Sequence, residues 1–461
     1  MILSIGSPRR PEAPSMTVFA VLVFALAGLG FWAPPAAAAG GPLPDALAAA
    51  LAAAEPRAVE LRHQIHQNPE LSNREAETGS LVASHLADLG FEVETGVAHT
   101  GVVGVLRGGR PGPVVAVRAD MDALPVTEAS GLPFASTKTA QLGGQTVGVA
   151  HACGHDIHTA VGLGLASSLA ALRDELPGTV VFLFQPAEEG PPEGERGGAE
   201  LMLEEGALDD PRPEAIFALH AFPEMEVGQL GWIAGPTYAA VDQFRITLHG
   251  TQSHGARPED SVDPIVLGSQ VVMAFQTIPS RTLPPLEPSV VTVGIFRGGE
   301  RFNIIPGEVH LEGTVRTYSE EARATVERRM TQILEGLSAA AGATYDFQYV
   351  GNAPPTVNHP ALSQQVRPSL EAAVGEAAVL EGQRLLVGED FAYFAREIPG
   401  FYLRLGVEDP AHPSGGLHTP TFRGDDAAIA VGMRAMAHLV WDFLEAGGMA
   451  GDSDGGTGAR R

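Results

Sequence analysis

Short apolar runs alternate with helical stretches along the first half of this chain. A long helix is predicted from Asp45, which can cap it, with Ala49, Leu51, Val59, Leu61 and Ile65 on its apolar side. A second helix covers 75–89 and stops at Gly90. The runs 102–106 and 114–117 read as buried strands. A helix over 159–176, a strand at 180–184, a helix at 200–205 and a strand at 215–219 follow. Strand, helix, strand in repetition predicts a largely parallel α/β sheet.

The pattern changes after Gly235. Positions 244–248 alternate like a half-exposed strand. A helix over 264–277, strands at 290–296 and 309–316, a helix over 319–337 and a strand at 344–349 complete a block. That order is a split βαβ, a ferredoxin-like α+β layout with one antiparallel sheet and helices on one face. The block 241–350 therefore reads as a small domain inserted into a larger α/β domain made of 40–240 and 351–446. Helices at 361–373 and 425–444 return to the larger domain. The Gly-rich, polar stretch 447–461 is expected to be a disordered tail.

The 461 residues suit two or three domains and are 44% hydrophobic, so large cores need no disulfides. A single cysteine forbids an internal one. With 55 acidic against 29 basic residues the formal charge is -26. Such a surface repels nucleic acid and anionic lipid, and both are excluded as main partners.

The start of the chain has the make-up of an export signal over 1–39. Arg9 and Arg10 precede the apolar run 17–32, Pro34 and Pro35 break it, and Ala36 to Ala39 supply small residues for cleavage. A retained membrane anchor is the alternative. No other segment reads as long and apolar enough to span a bilayer. A periplasmic or secreted protein is the expectation.

The candidate chemistry centres on His151-Ala152-Cys153-Gly154-His155-Asp156-Ile157-His158. Imidazole, thiolate and carboxylate are the ligands of borderline-soft divalent metals. A polar loop around a buried thiol is the plain alternative. Three further sets stand where apolar strands end: Asp120 and Asp122 after 114–117, Glu188 and Glu189 after 180–184, and His220 after 215–219. Ligands of open α/β sheets bind at the carboxyl ends of the strands. These sets and the octet are therefore predicted to meet on one rim. Alone, Glu188-Glu189 would be a solvated acidic pair.

Arg118-Ala-Asp-Met-Asp-Ala-Leu-Pro125, the octet, Gln185-Pro-Ala-Glu-Glu-Gly190, His220-Ala221 and His418-Thr-Pro420 resemble the motifs of the M20 metallopeptidases. The branch most similar is that of N-acyl-amino-acid amidohydrolases, including hippurate and auxin-conjugate hydrolases. His66-Gln-Asn-Pro-Glu-Leu-Ser72, Ser253-His-Gly-Ala-Arg-Pro258 and Phe302-Asn-Ile-Ile-Pro306 match it too.

The resemblance implies a zinc-peptidase-like main domain, with the inserted block as lid and dimerisation domain of a homodimer. It implies two divalent ions (Zn, Mn, Co or Ni) held by Cys153, His155, Glu189, His220 and His418. Cys153 would bridge them and Glu188 would be the general base. Two ions about 3.5–4 Å apart hold a water and lower its pKa from 15.7 towards roughly 7. Many members carry a histidine ligand where Asp120 stands. Here Asp120 and Asp122 are expected to orient ligand histidines rather than bind metal. His151 and His158 are left without a role, as is Gly388-Glu389-Asp390-Phe391.

His254 is expected to stabilise the oxyanion, reaching across from a partner subunit, and Asn303 and Arg316 to hold a substrate carboxylate. On their own residues His254 is a turn histidine and Arg316 a surface ion pair. The expected activity is hydrolysis of an N-acyl amino acid or small peptide-like conjugate. A dipeptidase or carboxypeptidase, a mononuclear zinc protein and a non-catalytic binding module are the rivals.

Overall fold

The computed structural model describes residues 40–449. The expected export segment, and the expected tail beyond 449, lie outside the described residues. The last described residue, Met449, still packs against the main core.

Eight strands make the main sheet, in the order Glu92–Val97, Gly101–Arg107, Pro177–Gln185, Arg110–Asp120, Ala215–Glu226, Gly400–Glu408, Leu230–Trp232, Val379–Glu381. The four long central strands run parallel. The first two strands add antiparallel, and so does Leu230–Trp232 against Gly400–Glu408. The sheet is therefore mixed, not largely parallel throughout. Only Ala98, His99 and Thr100 join the first two strands, with Ala98 and His99 at positive φ. A turn that short closes a hairpin and cannot carry a parallel crossover.

Both faces of the central strands are buried. Val115, Val117, Phe182 and Phe184 pack under the helices Asp45–Gln67, His155–Ala171, Pro360–Val374 and Ala427–Glu445. Ala116, Val181, Leu183, Ile216 and Ala218 pack with Phe391 and Phe394 of the opposite layer. Near-continuous apolar runs are what strands buried on two faces require. Contrary to the sequence expectation, Ala427–Glu445 is long and apolar enough to cross a membrane. In the fold it is a core helix, 78% buried.

The second sheet has the order Ser289–Gly298, Glu308–Thr317, Ala240–His249, Thr344–Ala353, all antiparallel. The helices Pro264–Phe275 and Glu320–Ala341 cover one face over a core of Phe244, Ile246, Leu248, Phe275, Val326 and Met330. This is the ferredoxin-like order. Ser319 caps the longer helix through Ala322 N–H, and Gly342 ends it at φ 70°.

Three local departures matter. Pro44, not Asp45, occupies the first cap, and Asp45 lies in the first turn. The helix expected from 159 starts at His155, because Gly154 at φ 88° turns the chain there. The strand expected to end at 219 runs to Glu226, so His220 lies within a strand.

Candidate metal centre

Four elements deliver the predicted ligands. Asp120 ends its strand and Asp122 follows it. Cys153 precedes the cap of His155–Ala171, so His155 and His158 occupy that helix's first turn. Glu188 and Glu189 follow Ala187, whose φ is 53°, and His418 itself has φ 61°. Left-handed backbone at non-glycine residues is costly and persists only where surroundings enforce it. At Ala187 the enforcing group is Glu75, which accepts the Ala187 and Asn73 N–H groups at 2.9 and 3.0 Å. Gly154 is obligatory, since a Cβ there would stand 2.6 Å from that of Ala221.

These elements converge. Cys153 Sγ lies 3.4 Å from His220 Nε2 and 3.2 Å from His418 Nε2. His418 Nε2 is 3.1 Å from Glu189 Oε1, and His155 Nε2 is 3.9 Å from Glu188 Oε2. Among the donor groups that close to within 4.8 Å, two contain the sulfur: Cys153/His155/His220 and Cys153/Glu189/His418. The sulfur belongs to both.

A hydrogen-bonded layer holds them. Asp122 accepts from Ser72 Oγ at 2.7 Å, from the Glu188 and Glu189 N–H groups at 3.1 Å, and pairs with His155 Nδ1 at 3.2 Å. His220 Nδ1 donates to Ala221 O at 2.7 Å. Both histidines thus turn Nε2 to the cluster. His155 Nε2 is buried with no hydrogen-bond partner, and buried Glu189 Oε1 has only the 3.1 Å contact with His418 Nε2. Such under-partnered atoms among soft and borderline donors fit a divalent cation. His158 is spent otherwise: Nδ1 bonds Asp120 at 2.6 Å and Nε2 accepts Ala221 N–H at 2.7 Å. His151 is buried outside both sets, its ring 6.2 Å from that of His66.

The electrostatics agree. Burial, then Glu189 and Glu188, pushes the Cys153 thiol well above its usual range. Burial opposes a charged His155, yet Asp120 and Asp122 carry it to about 10. Burial, then the neighbouring carboxylates Glu389, Glu189 and Asp390, raises Glu188 well above the carboxylate range. The pocket is short of positive charge, and a cation would reverse the thiol's preference.

One buried knot here was not foreseen. Arg118 bonds Gln185 at 2.7 Å, Glu389 at 2.9 Å and Asp390 at 3.0 Å, and also pairs with Asp120. Tyr402 donates to Glu389. The segment 388–391 thereby closes the floor beneath Glu188, with which Glu389 and Asp390 group closely.

Of the residues expected in the inserted block, only Arg316 lies on the second sheet, and His254 joins none of the donor groups in this chain. His254 is exposed on the two-residue strand Ser253–His254, its Nδ1 accepting Ala256 N–H at 3.0 Å. Asn303 Oδ1 is buried without a partner. Arg316 is half-buried, donates to Val315 O at 3.0 Å and to Thr314 Oγ1, and forms no ion pair among the described residues.

The model of peptidase family M20/M25/M40 matches residues 116–442. The chain belongs to that family. It is 38% identical over 379 residues to the N-acetyl-L-cysteine deacetylase of Bacillus subtilis, spanning 82% of this chain and 86% of that protein. It is 36% identical over 391 residues to thermostable carboxypeptidase 2 of Saccharolobus solfataricus, spanning 84% and 95%. Among solved structures, a dinuclear metal-binding M20 peptidase from Bacillus subtilis superposes with TM-score 0.71 at 34% identity, covering 86% of this chain and 99% of that one. The M20 fold and this chain's donor cluster thus occur together.

Proposed function

We propose that this M20 protein is a metal-dependent amidohydrolase that cleaves the amide bond of N-acyl amino acids, giving a carboxylic acid and a free amino acid. One observation carries the reading: two donor sets share the Cys153 sulfur. Cys153, His155 and His220 would hold one divalent ion, and Cys153, Glu189 and His418 the other. When bound, the pair supplies Lewis acidity and makes water a nucleophile near neutral pH.

The chain's own groups do the rest. Glu188 takes a proton from the attacking water and passes it to the departing amine nitrogen. Its backbone is tied to Asp122, which keeps the carboxylate beside His155. Asp120 and Asp122 orient histidines and do not bind metal. His254 would donate to the developing oxyanion from a second copy of the chain, since its own cluster does not receive it. Asn303 and Arg316 would hold the substrate's α-carboxylate. The charged start and apolar run of 1–39 support export as part of this reading.

The carboxypeptidase relative favours a second reading, in which the same centre cleaves peptides. A panel of N-acyl amino acids and dipeptides, run on metal-reconstituted protein with chelator as control, separates the two. Faster turnover of acyl amino acids is expected; faster turnover of dipeptides would select the second reading. Cys153→Ala should lose bound metal, and an unchanged stoichiometry would remove the thiol from the site. Amino-terminal sequencing of the exported protein should begin near residue 40.

A further inference from the structure

Three arginines are buried among the described residues: Arg62 at 1% exposure, Arg118 at 2% and Arg404 at 5%. Arg62 is met by Asp156 at 3.0 Å and Asp426 at 2.6 Å. Arg118 is met by Asp120, Glu389 and Asp390. Among the described residues Arg404 meets no carboxylate within ion-pair distance. It donates to Gln383 O at 2.7 Å and, weakly, to Tyr238 OH at 3.4 Å. That leaves fork N–H groups free to donate to a further acceptor. A buried cation in a protein of net charge -26 is ordinarily paired.

Its position in the fold is what matters. Arg404 is the register partner of His220 on the neighbouring parallel strand. Adjacent strands lie about 4.8 Å apart, and register partners share a face. Tyr402 and Arg404 alternate onto that face, as do His220 and Phe222. The guanidinium carbon lies 5.0 Å from the ring centre of Phe222 and 5.2 Å from that of Tyr238. Tyr238 stacks edge-on to Tyr402 at 5.5 Å, and the Tyr402 ring is 6.3 Å from that of His220. An aromatic shelf thus runs from the metal-binding histidine to an unneutralised guanidinium fork, one side chain's reach away.

We propose that Arg404 receives a carboxylate of the substrate other than the α-carboxylate, so that the preferred substrates are N-acyl amino acids bearing a second carboxylate. This rests on the amidohydrolase reading above. A planar fork flanked by two rings suits a planar carboxylate bound by two parallel hydrogen bonds. The second carboxylate can sit on the amino-acid side chain or on the acyl group.

Two pairs of substrates distinguish these sources on metal-loaded enzyme: N-acetyl-L-glutamate against N-acetyl-L-glutamine, and N-succinyl-L-alanine against N-butyryl-L-alanine. In one pair the charged member should lead in kcat/KM by roughly 10–100-fold, the size of a charge-assisted hydrogen bond. Arg404→Gln should collapse that ratio, mainly through KM, and Arg404→Lys should restore part of it. Ratios near one in both pairs for the wild type, or a ratio untouched by Arg404→Gln, would overturn the subsite while leaving the amidohydrolase standing. Turnover of none of the four would sink both. Inhibition of the wild type needs no variant: glutarate should compete at least tenfold more tightly than butyrate, and equal inhibition would overturn the proposal.

Discussion

The donor-bearing rim and the inserted block support their polar groups in opposite ways. At the rim Asp120, Asp122, His155 and Glu75 are buried and cross-bonded, and even costly backbone at Ala187 and His418 is held. In the inserted block His254 is exposed, Asn303 has an unpartnered oxygen and Arg316 forms no ion pair among the described residues. The rim is finished within one chain. The inserted block presents groups without such support among the described residues. Preorganisation is concentrated at the donor cluster.

That contrast can be broken at either end. The largest effect should come from Glu188→Gln, which removes the proton carrier but no ligand; turnover should fall about 10²–10⁴-fold with metal content intact. Persistent activity would dismiss Glu188 as the base. His254→Ala should lower kcat about 10²–10³-fold at normal metal content, as for a lost oxyanion donor. If the histidine arrives from a second copy, mixing inactive His254→Ala with inactive Glu188→Gln should recover activity. Wild-type rates in His254→Ala would make it a turn residue. Asp122→Asn should weaken metal affinity or activity about 10–100-fold, visible in a chelator titration.

The smallest effect is on stability. His66 lies between Asp156 at 2.8 Å and Glu128 at 2.9 Å; burial opposes its charge, but these carboxylates raise its pKa to about 9. A raised folded pKa means that its contribution is whole below about 6.5 and is lost as pH climbs through about 9. Thermal melts should therefore lose on the order of 1–3 kcal/mol across that window, and His66→Gln should flatten the loss. A slope that persists in the variant would assign it elsewhere.

Much of this was legible in the residues. Period-two and period-3.6 patterns placed the four strands of the second sheet and four of the eight in the main sheet, but missed Gly400–Glu408 among the central ones. Strand ends pointed to Asp120, Asp122, Glu188 and Glu189. The start of the Cys153 helix was set four residues late, because Gly154 acts through a positive φ and an approach to Ala221 that periodicity does not register. The Arg118 knot was missed for another reason. Its carboxylates lie 271 and 272 residues away, and nothing local marks Glu389 and Asp390 as its partners. Arg404 drew no sequence reading, since only its register with His220 across the sheet marks it.

His418 hangs from Ala152 O by a 2.8 Å bond yet lies 265 residues beyond Cys153. A growing chain therefore exposes Cys153, His155, Glu189 and His220 long before the last imidazole is made. Until that late loop docks, one donor set lacks a member. If these donors hold the cation pair, its full loading follows near-complete synthesis, and metal uptake becomes a late step in maturation.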